Sequence, residues 1–188
     1  FTAVILYPAI IRFVCGKGNP YRILYASLAP MLAAFFSGDA NMTLPVLFRH
    51  ANESLGIRRR ISSITLPMFS IFGRPGTAVT VTVSFIVILK SYSSRGIPFP
   101  DMFWLLGIAI LLSFVLGRIP FGGAYIALAA VCALYGRGFE AGYLILKPAA
   151  FFIGSVAAAI DALTAIMGSY VIGKRLNQVS TRELRFFI

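Results

Sequence analysis

Arg74 and Asp161 place ionisable groups inside long apolar runs, and that position limits what their chemistry can be. Arg74 sits in Ile71-Phe72-Gly73-Arg74-Pro75-Gly76-Thr77-Ala78, in the middle of an apolar stretch from Ile61 to Leu89. A permanently charged guanidinium at membrane depth is costly unless it faces a partner, water or a solute. Pro75 removes a backbone donor and the flanking glycines weaken a helix, so the hydrogen-bond ladder should open there. Open backbone in hydrocarbon survives only where it is buried in protein or lines a cavity. Unwound backbone and half-helix ends at the midplane bind solute in secondary transporters. Asp161 has two readings: counter-ion to Arg74, or proton carrier through a desolvated carboxylate. Asp39 and Asn41 could cap a helix or, beside its free N–H groups, meet an anionic solute. Arg118 reads equally as a snorkelling interfacial residue and as a solute contact. Thr77 reads as a site hydroxyl or as one packed against backbone.

The elements that must position these residues follow from composition. Of 188 residues, 59% are hydrophobic and 12% charged, and the mean hydropathy is +0.86. Those values indicate an all-α integral membrane protein in a lipid bilayer. Seventeen Lys and Arg against six Asp and Glu give a net charge of +11. The cations punctuate apolar runs as membrane-flanking residues do, so no nucleic-acid partner is expected. Cys15 and Cys132 stand in separate apolar stretches without ligand spacing, which predicts packing and neither disulfide nor metal. His50, alone of its type, is expected at an interface. No nucleophile–base pair or metal cluster is visible, so the chain does not read as an enzyme. Phe1 lies within an apolar run with no charged region before it, which reads as a piece of a longer protein.

Along the chain, residues 1–20 read as the end of a transmembrane helix and a turn. Residues 21–57 hold two apolar arms, Tyr21–Phe36 and Thr43–Leu55, around Ser37-Gly38-Asp39-Ala40-Asn41. A spanning helix needs about 20 mostly apolar residues, so these short arms predict a re-entrant hairpin. Residues 58–100 begin at Arg58-Arg59-Arg60 and hold the broken transmembrane helix and a loop. Residues 101–137 repeat the pattern, with arms Asp101–Gly117 and Ala124–Tyr135 around Arg118-Ile119-Pro120-Phe121-Gly122-Gly123. Residues 138–188 form a final transmembrane helix and a basic tail. Two hairpin-plus-span units in succession are an internal repeat of the kind carriers use. Arg58–Arg60 and the tail should share one face, assigned to the cytoplasm by the positive-inside rule.

Asn19-Pro20, Ala33-Ala34-Phe35, Thr43-Leu44-Pro45-Val46, Glu53-Ser54-Leu55-Gly56-Ile57 and Thr65-Leu66-Pro67, in that order, resemble the dicarboxylate/amino acid:cation symporter (glutamate transporter) family. The resemblance covers essentially the whole chain as that family's C-terminal half. It implies an elevator-type transport domain, a homotrimer, and a place in the plasma membrane (the inner membrane of a bacterium). Where the family has Asn-Met-Asp-Gly-Thr, this chain has Gly73-Arg74-Pro75-Gly76-Thr77. Gly76 and Thr77 match, while the Asn and Asp that help coordinate sodium do not. The final span keeps Asp161 within Ile160–Ser169 but lacks the family's arginine there. Taken with the reading of the residues themselves, the candidate solute contacts are Asp39, Asn41, Arg74, Gly76, Thr77, Arg118, Gly122, Asp161 and Ser169.

The expected function is secondary active transport of a small organic anion, a dicarboxylate or acidic amino acid, by an elevator mechanism. No cofactor is expected, sodium coupling of the usual kind is not, and a proton linkage through Asp161 or Asp39 is left open. The alternative is a transporter-like anion channel or a membrane solute sensor.

Overall fold

The computed structural model describes residues 7–15, 20–92, 99–116, 119, 122–136 and 138–180. Arg118, the turn at 16–19, the loop at 93–98 and the basic tail at 181–188 lie outside the described residues. In chain order the α-helices are α1 (Tyr7–Cys15), α2 (Pro20–Ala26), α3 (Leu28–Ser37), α4 (Leu44–Glu53) and α5 (Arg59–Phe72). Then come α6 (Pro75–Tyr92), α7 (Phe99–Leu116), α8 (Gly123–Tyr135), a 3-10 helix (Gly142–Ala149) and α9 (Ala150–Arg175). Among the described residues, three stretches are long and apolar enough to cross a membrane: Arg59–Ser91, Phe99–Leu116 and Gly142–Arg175.

Helix ends fall where backbone chemistry puts them. α3 stops at Gly38, whose φ of 65° is left-handed and whose N–H donates to the Ala34 carbonyl, a termination glycine adopts at no steric cost. α5 stops at Gly73, and Pro75 opens α6 at the first helical position, where its missing donor costs nothing. Two interruptions have no counterpart in the apolar pattern. Pro30 offers no N–H to the Ala26 carbonyl, and the first arm breaks at Ser27, whose hydroxyl donates 2.7 Å to the Ile23 carbonyl. Pro148 likewise falls in the 3-10 stretch that precedes α9, so the last span is α-helical only from Ala150.

α9 is the axis of the fold. The window of its span is 61% buried, against 17% for α7 at the periphery. Its buried face is rich in alanine (Ala157, Ala158, Ala159, Ala162, Ala165), and small side chains let neighbouring backbones approach closely, which is how helices associate in lipid. Gly168 extends this: a Cβ there would lie 2.6 Å from the Phe69 ring of α5. The broken span is divided between two cores. Leu47, Leu66, Leu163 and Ile166 join α4 and α5 to the later part of α9. Phe85, Leu105, Leu128, Val131 and Ile153 join α6, α7 and α8 to its beginning. Cys132 is buried within the second core.

The far ends of α4 and α9 are tied together. Ile57 and Val179 form an isolated antiparallel bridge, and the Arg58 N–H donates 3.2 Å to the Gln178 carbonyl. Gly56, at φ 68°, has no room for a side chain, since a Cβ would come within 2.1 Å of the Ser180 carbonyl oxygen. Arg58–Arg60 and Lys174–Arg175 therefore lie at one end of the molecule. His50 is buried within the protein, with Nδ1 3.4 Å from the Ser54 hydroxyl.

Candidate functional site

The break between α5 and α6 exposes the polar ends of two half-helices inside the protein, and buried side chains serve both. At the α6 end, Asp161 of α9 accepts from the Gly76 N–H at 2.7 Å through Oδ1 and from the Thr77 hydroxyl at 2.9 Å through Oδ2. The carboxylate thus caps a helix that is distant in sequence, where the helix dipole favours a negative charge. This contact requires glycine at position 76, because a Cβ would sit 2.4 Å from the Ala157 carbonyl oxygen and 2.8 Å from Asp161 Oδ1.

At the α5 end, Arg74 turns back on the last turn of its own half. Its Nε donates to the Ser70 carbonyl at 3.0 Å, and Nη2 donates to Asn41 Oδ1 at 3.2 Å. The Ser70 hydroxyl also donates to Asn41 Oδ1, at 2.7 Å. A cation is favourable at a helix C-terminus, and the guanidinium hydrogen-bonds one of the carbonyls the break leaves open. Asn41 carries this network across to the α3–α4 turn.

That turn is held by its own side chains. Asp39 Oδ1 accepts from the Asn41 N–H at 2.8 Å, and the Thr43 hydroxyl donates to the Ala40 carbonyl at 2.8 Å. Neither Asp39 nor Asn41 caps α4; the cap position is Thr43, with no side-chain bond to the helix. Gly122 at φ 144° leads into α8, whose N-terminus has no side-chain cap among the described residues.

These parts meet around one cavity. Asp39 from the first turn, Arg74 and Thr77 from the break, Gly122 and Gly123 from the start of α8, and Asp161 from α9 all line it. Gly154, Ala157 and Ala158 complete the α9 wall, at the spacing that places them on one helical face with Asp161. Asp39, Arg74, Thr77 and Asp161 are each more than nine-tenths buried. The cavity holds about 20 Å³, room for one water. Its charge is mixed. Arg74 and the open N-terminus of α8 are positive; Asp39, Asp161 and the C-terminal end of α3 are negative.

Of the residues singled out from the sequence, Asp39, Arg74, Thr77, Gly122 and Asp161 converge on this cavity. Gly76 and Asn41 adjoin it through Asp161 and Arg74. Ser169 does not: it is fully buried, and its hydroxyl donates to the Ala165 carbonyl within α9 at 2.8 Å. Arg118 lies outside the described residues. Ser70 was not anticipated; it stands in the last turn of α5, four residues before Arg74, where the open carbonyls of that half-helix end lie. Gly73 and Pro75 bring no side-chain oxygen to the break, and among the described residues no group of three His, Cys, Asp or Glu could hold a metal.

Residues 1–175 match the Sodium:dicarboxylate symporter family. Among similar proteins, neutral amino acid transporter B(0) of Bos taurus is 29% identical over 114 residues, 61% of this chain and 21% of that protein. Its Homo sapiens counterpart is 28% identical over the same length. Neutral amino acid transporter A of Homo sapiens is 32% identical over 81 residues, 43% of this chain and 15% of that protein. The chain thus spans about a fifth of the length of the curated relatives it matches. With a family match across nearly all its length and, among the described residues, three apolar helical stretches of membrane-crossing length, this chain is an integral membrane protein belonging to the sodium:dicarboxylate symporter family.

Proposed function

We propose that the intact protein is a secondary transporter for a small carboxylate-bearing solute, a dicarboxylate or an amino acid, bound at the cavity between the two helical turns and the break. The observation that carries this is the convergence of Asp39, Arg74, Thr77, Gly122 and Asp161, from four separate parts of the chain, on one polar cavity. The α8 N-terminus and Arg74 suit a carboxylate. Asp39 suits an ammonium group, and the names of the relatives, neutral amino acid transporters, favour the amino acid branch of this solute class.

A cavity with room for one water must open before it admits such a solute. In this reading α2–α4 and α7–α8 are re-entrant hairpins, and the unit they form with α5, α6 and α9 moves as an elevator within a homotrimer in the plasma membrane. Arg74 bears on coupling. A fixed cation already donates to the Ser70 carbonyl beside the break, and Gly73 and Pro75 bring no oxygen ligands. Repulsion by the guanidinium disfavours a mobile cation in the same place. Transport is then independent of sodium, with Asp161 and Asp39 as the groups available for proton linkage.

The test is flux by the intact protein in liposomes. Saturable exchange of an amino acid or dicarboxylate supports the carrier. Conductance without saturation would identify an anion channel, and binding without flux a solute sensor.

A further inference from the structure

Arg58-Arg59-Arg60 plays no part in the cavity, yet it borders a second feature. A groove of about 880 Å³ runs between the first turns of α5 and the last turns of α9. Its floor is apolar, formed by Ile61 and Ile64 of α5 and by Ile172 and Leu176 of the α9 end. Ile64 and Leu176 are 65% and 58% exposed, and Ile61 and Ile172 are half-buried beside them. The three arginines form its polar end and are all exposed. No described carboxylate pairs with any of them. Among the described residues, the N-cap residue Arg58 makes no side-chain bond to the α5 N-terminus either, so first-turn N–H groups join the guanidinium groups at that end.

We infer that this groove binds an anionic phospholipid, with its phosphate at Arg58–Arg60 and an acyl chain along Ile61, Ile64, Ile172 and Leu176. Charge complementarity selects the headgroup, because guanidinium groups and an open helix N-terminus both favour phosphate. The apolar floor selects a lipid over free phosphate, which has no use for it. The location agrees: α5 enters its span at Arg59 and α9 leaves its span at Arg175, which sets the groove at the membrane edge. Basic clusters at that depth attract anionic lipid. This inference depends on the membrane setting and not on which solute is carried.

The test is native mass spectrometry of the intact protein titrated with phosphatidylglycerol or with phosphatidylcholine of matched chains. The expected result is at least tenfold stronger retention of phosphatidylglycerol, falling about fivefold for each arginine changed to glutamine, from Arg59→Gln alone to all three. Lysine at the three positions should keep most of the preference. Ile64→Trp, which fills the floor and leaves the arginines intact, should lower retention of both lipids. Equal retention of the two lipids would overturn the inference, as would a preference that survives the triple glutamine variant. Displacement of the lipid by millimolar inorganic phosphate would overturn it too, by showing a phosphate site only. So would failure to retain either lipid, the result expected if another protein segment covers the groove.

Discussion

Gly76→Ala tests the contact that holds the broken span to α9. The new methyl would lie 2.4 Å from the Ala157 carbonyl oxygen, 2.8 Å from Asp161 Oδ1 and 2.8 Å from the Ile160 Cβ. Two of these three atoms belong to the α9 backbone or to its first side-chain carbon, so no rotamer change relieves them. The start of α6 must move away from α9. Overpacking of this kind costs about 1–3 kcal/mol. The shift also weakens the 2.7 Å bond from the Gly76 N–H to Asp161, and bonds to a charged group contribute about 1.5–3 kcal/mol. Together the loss is about 3–5 kcal/mol. Gly107→Ala is the control, since a Cβ there meets nothing within 4 Å, and it should change stability by no more than about 1 kcal/mol, in the favourable direction. Equilibrium unfolding of the intact protein in mixed micelles, followed by circular dichroism, reads both. A Gly76→Ala protein within about 0.5 kcal/mol of the parent, well inside the cost of overpacking alone, would refute the close approach of α6 to α9.

Three further outcomes follow from the same geometry. Thr77→Val removes the hydroxyl that donates to Asp161 Oδ2 and should cost about 1.5–3 kcal/mol in the same unfolding assay. Gly168→Ala should cost about 1–3 kcal/mol by pressing on the Phe69 ring, and Phe69→Leu in the same protein should recover part of that loss, a coupling that a double-mutant cycle measures. Replacing sodium by choline at constant pH should leave solute uptake by the intact protein unchanged; a steep loss restored by millimolar sodium would show that the ligands missing at Gly73 and Pro75 are supplied elsewhere, and would contradict the reading of Arg74.

Much of this was legible in the sequence because proline, glycine and short polar residues mark where apolar helices stop. Ser37-Gly38-Asp39 ends α3, and Gly73-Arg74-Pro75 separates α5 from α6. The membrane class followed from composition, and the family from an ordered set of short motifs. What the sequence withheld was register and burial. Apolar patterning does not reveal which residues of two distant helices meet, so the bonds of Asp161 to Gly76 and Thr77 were not foreseeable. The break at Ser27 depends on a carbonyl four residues before Pro30, and an apolar pattern passes over it. His50 lies on the buried side of α4 with Leu47 and Ala51, a facing that its polar neighbours Arg49, Asn52 and Glu53 do not reveal. Ser169 shares a helix with Asp161 but lies two turns further along it, too far to share the cavity.

The most direct test of the central claim, that the solute binds where the two turns meet the break, is protection of cavity cysteines. Ala40→Cys and Ala124→Cys each place a thiol on the cavity wall, in an intact protein whose other cysteines have been replaced. Labelling by a small thiol reagent is timed with and without a saturating transported amino acid or dicarboxylate. Labelling should be slower at both positions with solute present, and unchanged at Leu111→Cys on the exposed face of α7. Unchanged rates at Ala40→Cys and Ala124→Cys, while transport continues, would place the solute elsewhere and contradict the account.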